Sequence, residues 1–288
     1  MSEQISVLQF FKEFSDDDTC LEHLMNVRYG NPLTCPSCGK RSKFHKRKKR
    51  PIYECQYCSH HISPMVGTPF AKSRTALQKW FYAIYLFTTS RHGVPAKELQ
   101  RQLSVTYKTA WRMGHEIRKY MGKVDGDDDL SGHVEIDEAY IGGKDHVRGR
   151  PTDISSKKTG VLGMVERGGK IITRVIPNVK ADTLIPHITD NVVKGTAIST
   201  DELNSYHDLP KHGYEHGFVK HAAKEWKSGI HHTNTIEGFW ARLKLSIRGT
   251  HIHVSRKHMP KYLAEFEYRY NMRGKNASLM FDNLLQSF

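Results

Sequence analysis

The chain has 288 residues, enough for two or three compact units, and its 44 Lys plus Arg against 30 Asp plus Glu give a formal charge of +14. A mean hydropathy of −0.59, and a most apolar stretch (WFYAIYLF, 80–87) too short to cross a bilayer, argue against a membrane protein. The opening MSEQISVLQFFKEFSDDD carries acid where a secretory leader carries base, so a cytoplasmic location is expected; the cationic surplus favours a polyanion such as nucleic acid, a balance that ribosomal and RNA-processing proteins share.

Residues 1–30 read as a short helical lead-in with Phe10, Phe11, Leu21, Leu24 and Met25 as apolar positions. Region 31–70 holds four of the five cysteines, as CPSC at 35–38 and CQYC at 55–58, sixteen residues apart; Cys20 stands alone. Each short loop presents two thiolates to one side of a tetrahedral ion, so Cys35, Cys38, Cys55 and Cys58 are expected to bind one Zn2+. Four thiolates leave no open position, which makes that zinc structural. Between the knuckles lies KRSKFHKRKKR, where Lys46, Arg47, Lys48, Lys49 and Arg50 crowd together. Such density reads as a phosphate-contacting surface, with a solvated loop tip as the alternative.

Residues 71–124 are helical by pattern. VPAKELQRQLSVTYKTAWRMGHEIRKYM, 94–121, reads as a helix-turn-helix: Ala96, Leu99 and Leu103 line the first helix, and Ala110, Met113, Ile117 and Met121 the second, with Ser104 as N-cap. Thr106, Tyr107, Lys108 and Arg112 then sit at the exposed start of the second helix, where a recognition helix meets base edges. A helical hairpin that binds nothing has the same pattern. The acidic DGDDDLSG, 125–132, is read as a linker.

Residues 133–288 mix strands and helices. GHVEIDEAYIGG supplies a strand; GGKDHVRGRPTDISSKKTG, 142–160, a basic loop; TGVLGMVERGGKIITRVIPN, two strands joined at Gly-Gly. ADTLIPHITDNVV is a helix, GTAISTDELNSYHDL holds a short buried strand ending at Asp201, GFVKHAAKEW gives another strand, and HTNTIEGFWARLKLSIRGTH a helix with Ile236, Phe239, Trp240, Leu243 and Ile247 on its apolar face. The order β-β-β-α-β-β-α points to a ribonuclease-H-like domain, so the fold class is α+β and multidomain: a four-cysteine zinc ribbon, a helix-turn-helix and a mixed sheet with flanking helices. In that fold the first and fourth strands are neighbours, which brings Asp137 to Asp201, while the later helix presents Glu237. Three convergent acids can hold two divalent ions for phosphodiester chemistry. Lys244, two turns beyond Glu237, is a phosphate contact on this reading. Glu138 and Glu202 follow the two aspartates directly, and strand alternation aims them the other way. His221, His231 and His232 precede the helix as phosphate or proton-transfer groups, or as structural hydrogen bonders. PKYLAEFEYRYNMR is read as core packing through Tyr262, Leu263, Phe266 and Tyr270, with Arg269, Asn271 and Arg273 touching DNA or fixing the C-terminal end.

VEIDEAYIGG, TDELNSYHDL, HTNTIEGFWARLKLSIRGTHIHVSRKHMPKYLAEFEYRYNMR and the upstream CPSC…CQYC…GTPF…LQKWFYAIYLF together resemble bacterial insertion-sequence transposases of the ISXO-like group, relatives of Merlin elements. The resemblance runs from about Cys35 to Arg273. It implies a DDE transposase that binds double-stranded DNA at its element's terminal inverted repeats and at the target, as a homodimer or higher oligomer, in a cytoplasmic, nucleoid-associated setting. It implies two catalytic Mg2+ or Mn2+ ions on Asp137, Asp201 and a third residue from HTNTIE. Branches of the group differ between Asn and Glu there, and this segment offers both Asn234 and Glu237; a carboxylate binds magnesium better than an amide, which favours Glu237. Two other classes stay open: a non-cleaving DNA-binding regulator, and a ribonuclease-H-like nuclease with no joining step.

Overall fold

A computed structural model describes residues 6–48, 50–125, 129–142, 158–220, 223 and 227–288. Lys49, His221 and most of the basic loop read at 142–160 lie outside the described residues. The chain forms two compact units: Met1–Val124 together with Gly274–Phe288, and Asp125–Arg273.

In the first unit, α1 (Val7–Glu13) and α2 (Asp17–Tyr29) each start with a capping box, on Ser6 and Asp16. Phe10, Leu21, Leu24 and Met25 are buried as expected; Phe11 is 43% exposed, because α1 turns only one narrow face inward. The ribbon follows, with β1 (Leu33–Thr34) paired to β2 (Arg41–Ser42), and β3 (Phe44–Lys46), β4 (Tyr53–Cys55) and β5 (His61–Ile62) in a three-stranded sheet. Helix α3 (Leu77–Thr89) is apolar nearly all round and buries Trp80, Phe81, Ile84 and Phe87, as a helix enclosed by its neighbours must.

The two helices of the hairpin are α4 (Ala96–Leu103) and α5 (Tyr107–Asp125). Ser104 is not the N-cap of α5. It closes α4 in the left-handed region, φ 49°, and Thr106 takes the capping role, its Oγ1 accepting from the Thr109 amide at 3.2 Å.

The second unit is built on β6 (His133–Gly142), β7 (Lys158–Glu166), β8 (Ile171–Ile176), β9 (Ala197–Thr200) and β10 (Glu215–Phe218), in the order β10-β9-β6-β7-β8. β6, β7 and β8 are antiparallel neighbours, while β9 runs parallel to β6 and β10 parallel to β9. That is the ribonuclease-H-like arrangement expected from the element order. The last strand lies at 215–218, slightly upstream of the stretch read for it. Helix α6 (Ala181–Thr189) covers one face through Leu184, Ile185 and Ile188; α7 (Asn234–Ser246) and α8 (Met259–Asn271) cover the other. Alternation along β6 sends Val134 and Ile136 to the α6 side and Ala139 and Ile141 to the α7 side. Leu130, inside the stretch read as a linker, is fully buried in the α6-side core, and its amide donates to the Asn191 carbonyl.

Arg269, Asn271 and Arg273 fix the C-terminal end of this unit. Arg269 pairs with buried Glu265, Asn271 exchanges two hydrogen bonds with the backbone of Ile171, and Arg273 donates to the Gly169 carbonyl. The last helix, α9 (Ala277–Ser287), belongs to the first unit rather than to the domain read over 133–288. Phe281 packs against the rings of Phe10, Phe14 and Phe81, and Asp282 meets His23 at 2.8 Å. An apolar helix face docks where an aromatic cluster needs covering, and nothing local in its sequence names that cluster.

Candidate functional site

The ribbon cysteines converge. All four Sγ atoms lie within 4.8 Å of one another, with Cys35 to Cys58 at 3.6 Å and Cys38 to Cys55 at 4.0 Å. Four sulfurs about a Zn2+ at its usual bond length sit about 3.8 Å apart, so the set fits zinc. The two knuckles share one geometry. The Cys35 amide donates to the Lys40 carbonyl and the Cys55 amide to the His60 carbonyl, both at 2.9 Å, and Gly39 and Ser59 both take φ near 60°. Burial pushes the Cys55 thiol up, but the Ser42 hydroxyl and the amides of Tyr57 and Cys58 outweigh it and bring Cys55 down to about 6. A thiolate held that way is ready to ligate. The basic stretch beside it is partly engaged within the fold: Lys46 pairs with Asp18 and Arg47 with Glu54. Lys48 and Arg50 are exposed, as are Thr106, Tyr107, Lys108 and Arg112 at the start of α5. Arg112 lies over the Trp80 ring at 5.4 Å, and the Lys97 ammonium lies over Tyr107.

In the second unit, carboxylate oxygens of Asp137, Glu138 and Asp201 lie within 4.8 Å of one another. Asp137 and Asp201 thus meet as the strand order predicts. Glu138 points to the opposite face as alternation requires, where Tyr206 holds it, yet one of its oxygens still reaches the two aspartates. β9 pairs with β6 only along 133–135, so past Glu135 that edge of β6 is open and a long side chain from the opposite face reaches round it. One oxygen of each acid is held by a protein donor: Trp240 Nε1 donates to Asp137 Oδ2 at 3.1 Å, the Leu203 amide to Asp201 Oδ1 at 3.0 Å, and Tyr206 Oη to Glu138 Oε2 at 2.9 Å. Burial first, then the charges of Glu138 and Asp201, push Asp137 up to about 8; the Glu138 amide opposes this, and Glu237 adds to it.

Helix α7 supplies the remaining predicted residues. Asn234 is its exposed first residue. Glu237 is also exposed, one turn on, and accepts from Thr233 Oγ1 at 2.8 Å; Lys244 is half-buried two turns further. Glu237 is near enough for its charge to reach Asp137 but is not among the three clustered acids. His231 is a structural hydrogen bonder, its Nδ1 lying 2.9 Å from Ser199 Oγ, whose hydroxyl also meets His133 Nε2 at 2.7 Å.

Gly163 explains how α7 lies so close. It faces Asp137 across the β6–β7 ladder, and a Cβ there would fall 2.5 Å from Trp240 Cζ2 and 2.8 Å from Ile236 Cδ1, well inside carbon–carbon contact. Gly163→Ala is therefore expected to lift α7 from the sheet, lowering stability by about 1–3 kcal/mol in denaturant melts and weakening the Trp240–Asp137 contact. An unchanged melting midpoint would count against this packing.

The transposase zinc-ribbon domain profile matches residues 15–61, and that of the ISXO2-like transposase domain matches 129–271. The chain belongs to the ISXO2-like transposase family. A protein in transposable element ISH50 of Halobacterium salinarum is 28% identical over 290 residues, covering 92% of this transposase and 96% of that chain. A transposase-like protein of Haemophilus influenzae is 29% identical over 102 residues, covering 35% of this transposase and 81% of its own length. Similar solved structures include the pre-cleavage Mos1 transpososome (13% identity, TM-score 0.31, 71% of this chain and 74% of that one) and the Mos1 strand transfer complex (13%, 0.30, 71% and 73%). Both overlap too loosely to locate residues by. The ISXO2-like transposase acts on DNA, carries a zinc ribbon, and has no helix among its described residues long and apolar enough to cross a membrane.

The sequence reading missed Glu138 as a cluster member, the donor role that Trp240 adds to its place in the core, and Gly163, Glu135 and Arg167. One signal was available: Glu135 and Asp137 of VEIDE alternate onto the strand face that also carries the apolar Ala139 and Ile141.

Proposed function

We propose that this transposase binds the terminal inverted repeats of its element, cuts phosphodiester bonds there with water, and joins the freed 3′-hydroxyls to target DNA. The observation that carries the reading is the convergence of Asp137 and Asp201 from neighbouring parallel strands, with Glu138 beside them. Among the described residues the cluster offers carboxylate oxygens alone, and their mutual repulsion is what a hard divalent cation would relieve, so the residues fit Mg2+ or Mn2+. Bound divalent ions supply activation of the attacking oxygen and stabilisation of the leaving oxygen.

The chain's own residues prepare the site. Trp240, the Leu203 amide and Tyr206 each hold a carboxylate by one oxygen, fixing its direction before DNA arrives. Helix α7 brings Glu237 as the third acid, with Asn234 one turn earlier as a substrate contact and Lys244 as a phosphate contact. Recognition falls to the exposed start of α5, through Thr106, Tyr107, Lys108 and Arg112, and to the exposed ribbon cations Lys48 and Arg50. Both element ends must be held together for joining, so the working form is at least a dimer.

A labelled fragment carrying the DNA that flanks this gene, incubated with zinc-loaded protein, magnesium and a supercoiled target, tests the reading. Cut ends and joined product are expected. Glu237→Gln should lower the single-turnover rate at least about a hundredfold, and Asn234→Ala by much less. Specific end binding without cutting, in every divalent ion tried, would favour the regulator.

A further inference from the structure

Glu135 is fully buried on β6, two residues before Asp137 and on the same face of the strand. Its Oε1 accepts from Arg167 Nε at 2.7 Å and Thr235 Oγ1 at 2.9 Å, and its Oε2 from the amides of Thr235 at 2.7 Å and Ile236 at 3.1 Å. These four partners are all donors, and His232 Nδ1 also lies 3.1 Å from Oε1, so only a carboxylate satisfies the four; an amide or a protonated acid would set hydrogen against hydrogen. The Thr235 and Ile236 amides belong to the first turn of α7, where a helix leaves its N–H groups without intrahelical partners and favours negative charge. The Thr233 side chain makes no cap bond, so a carboxylate from the sheet does what a local cap does elsewhere. Arg167 fastens the approach to the helix, donating to the carbonyls of Ile230 at 2.7 Å and His232 at 3.1 Å.

We propose that Glu135 is a positioning residue for DNA joining, clamping the start of α7 to the strand that carries Asp137 and so setting where the catalytic groups of α7 stand. A second pin lies one turn along, where Trp240 donates to Asp137. Glu237 sits between the two pins, so freedom at the first turn becomes misplacement of its carboxylate. The inference rests on the reading that α7 supplies the third catalytic residue. It also explains why a charged group is kept in a dry strand interior. Buried ion pairs are often replaceable by apolar residues as far as stability goes, but an apolar residue would leave the start of α7 unheld.

The test uses full-length protein with Glu135→Gln, and with Thr235→Val as a milder variant that removes one donor without disturbing the carboxylate. Exchange of the Thr235 and Ile236 amide protons, followed by NMR, is expected to quicken roughly ten- to hundredfold in Glu135→Gln while amides of α8 keep their protection. End-DNA affinity should hold within about twofold. Single-turnover cleavage should fall at least about a hundredfold in Glu135→Gln and several-fold in Thr235→Val. Glu135→Gln combined with Glu237→Gln should be no slower than Glu237→Gln alone, because one residue acts through the other. Unchanged exchange at the two amides, or losses that multiply in the double variant, would overturn the proposal; if Glu135→Gln does not fold, Thr235→Val carries the same two criteria. Glu237→Gln cleaving at the parent rate would instead sink the third-residue assignment, and the clamp would then be judged by the amide exchange and by the same cycle with Asn234→Ala.

Discussion

Asp201→Asn is expected to abolish DNA cleavage and joining, with a loss of at least about a thousandfold, while end binding stays intact. Substituting a group that merely supports a metal ligand typically costs ten- to a hundredfold, and a direct ligand costs more. Asp201 is 2% exposed, and its Oδ1 accepts from the Leu203 amide, so the isosteric amide keeps the local turn while removing charge from the cluster. Asp137→Asn should be equally inactive and should also stabilise the protein without divalent ions. The sign follows from the raised Asp137 carboxyl, which sits near 8 in the fold against 3.8 in the unfolded chain. The unfolded state gives up its proton first, so stability from this group is fully present below about pH 4 and is lost as the pH rises through 8. Removing the carboxylate removes that loss, so at pH 8 the variant should melt at least about 2–4 °C higher. Magnesium should raise the melting temperature of the parent protein and leave Asp137→Asn nearly unmoved. A variant that melts lower at pH 8 would show that Asp137 is not strained by its acidic neighbours.

Loss of zinc should have the second large effect. The ribbon strands are two or three residues long, too short to hold themselves, so the four cysteines organise that segment. Structural zinc contributes on the order of 10–16 kcal/mol in isolated fingers. Purified protein is expected to carry one zinc per chain, and Cys55→Ser or a strong chelator to release it. Residues 31–62 should then become protease-sensitive and end-DNA affinity should fall at least about tenfold, with the Asp125–Arg273 unit still folded. Cys55→Ser that keeps both its zinc and its affinity would contradict this.

Much of this site could be read in advance, for identifiable reasons. Paired C-x-x-C knuckles encode their own geometry, since each places two sulfurs on one side of one ion. The parallel pairing of β6 with β9 follows from the element order, and with it the meeting of Asp137 and Asp201. The apolar stripe of α5, through Ala110, Met113, Ile117 and Met121, is buried as its spacing requires. What stayed hidden depends on where strands stop and which surfaces meet. Glu138 joins the cluster only because β9 leaves β6 early, a boundary that alternation does not report. Ser104 and Thr106 compete for one capping role, and the left-handed turn at Ser104 decides it. Helix α9 has an apolar face of ordinary pattern, and its destination is set by Phe10, Phe14 and Phe81, far away in sequence. Asn234 and Glu237 are both exposed on the first turns of α7, so spacing and packing leave the choice between them to kinetics.

The most direct test is to count bound Mn2+ by electron paramagnetic resonance, with zinc-loaded protein on cut end DNA, for the parent chain beside Asp201→Asn. The parent is expected to hold two Mn2+ per active site, and Asp201→Asn to lose at least one of them while binding the DNA as before. Equal manganese in both proteins would mean that Asp137 and Asp201 are not the metal centre of this transposase.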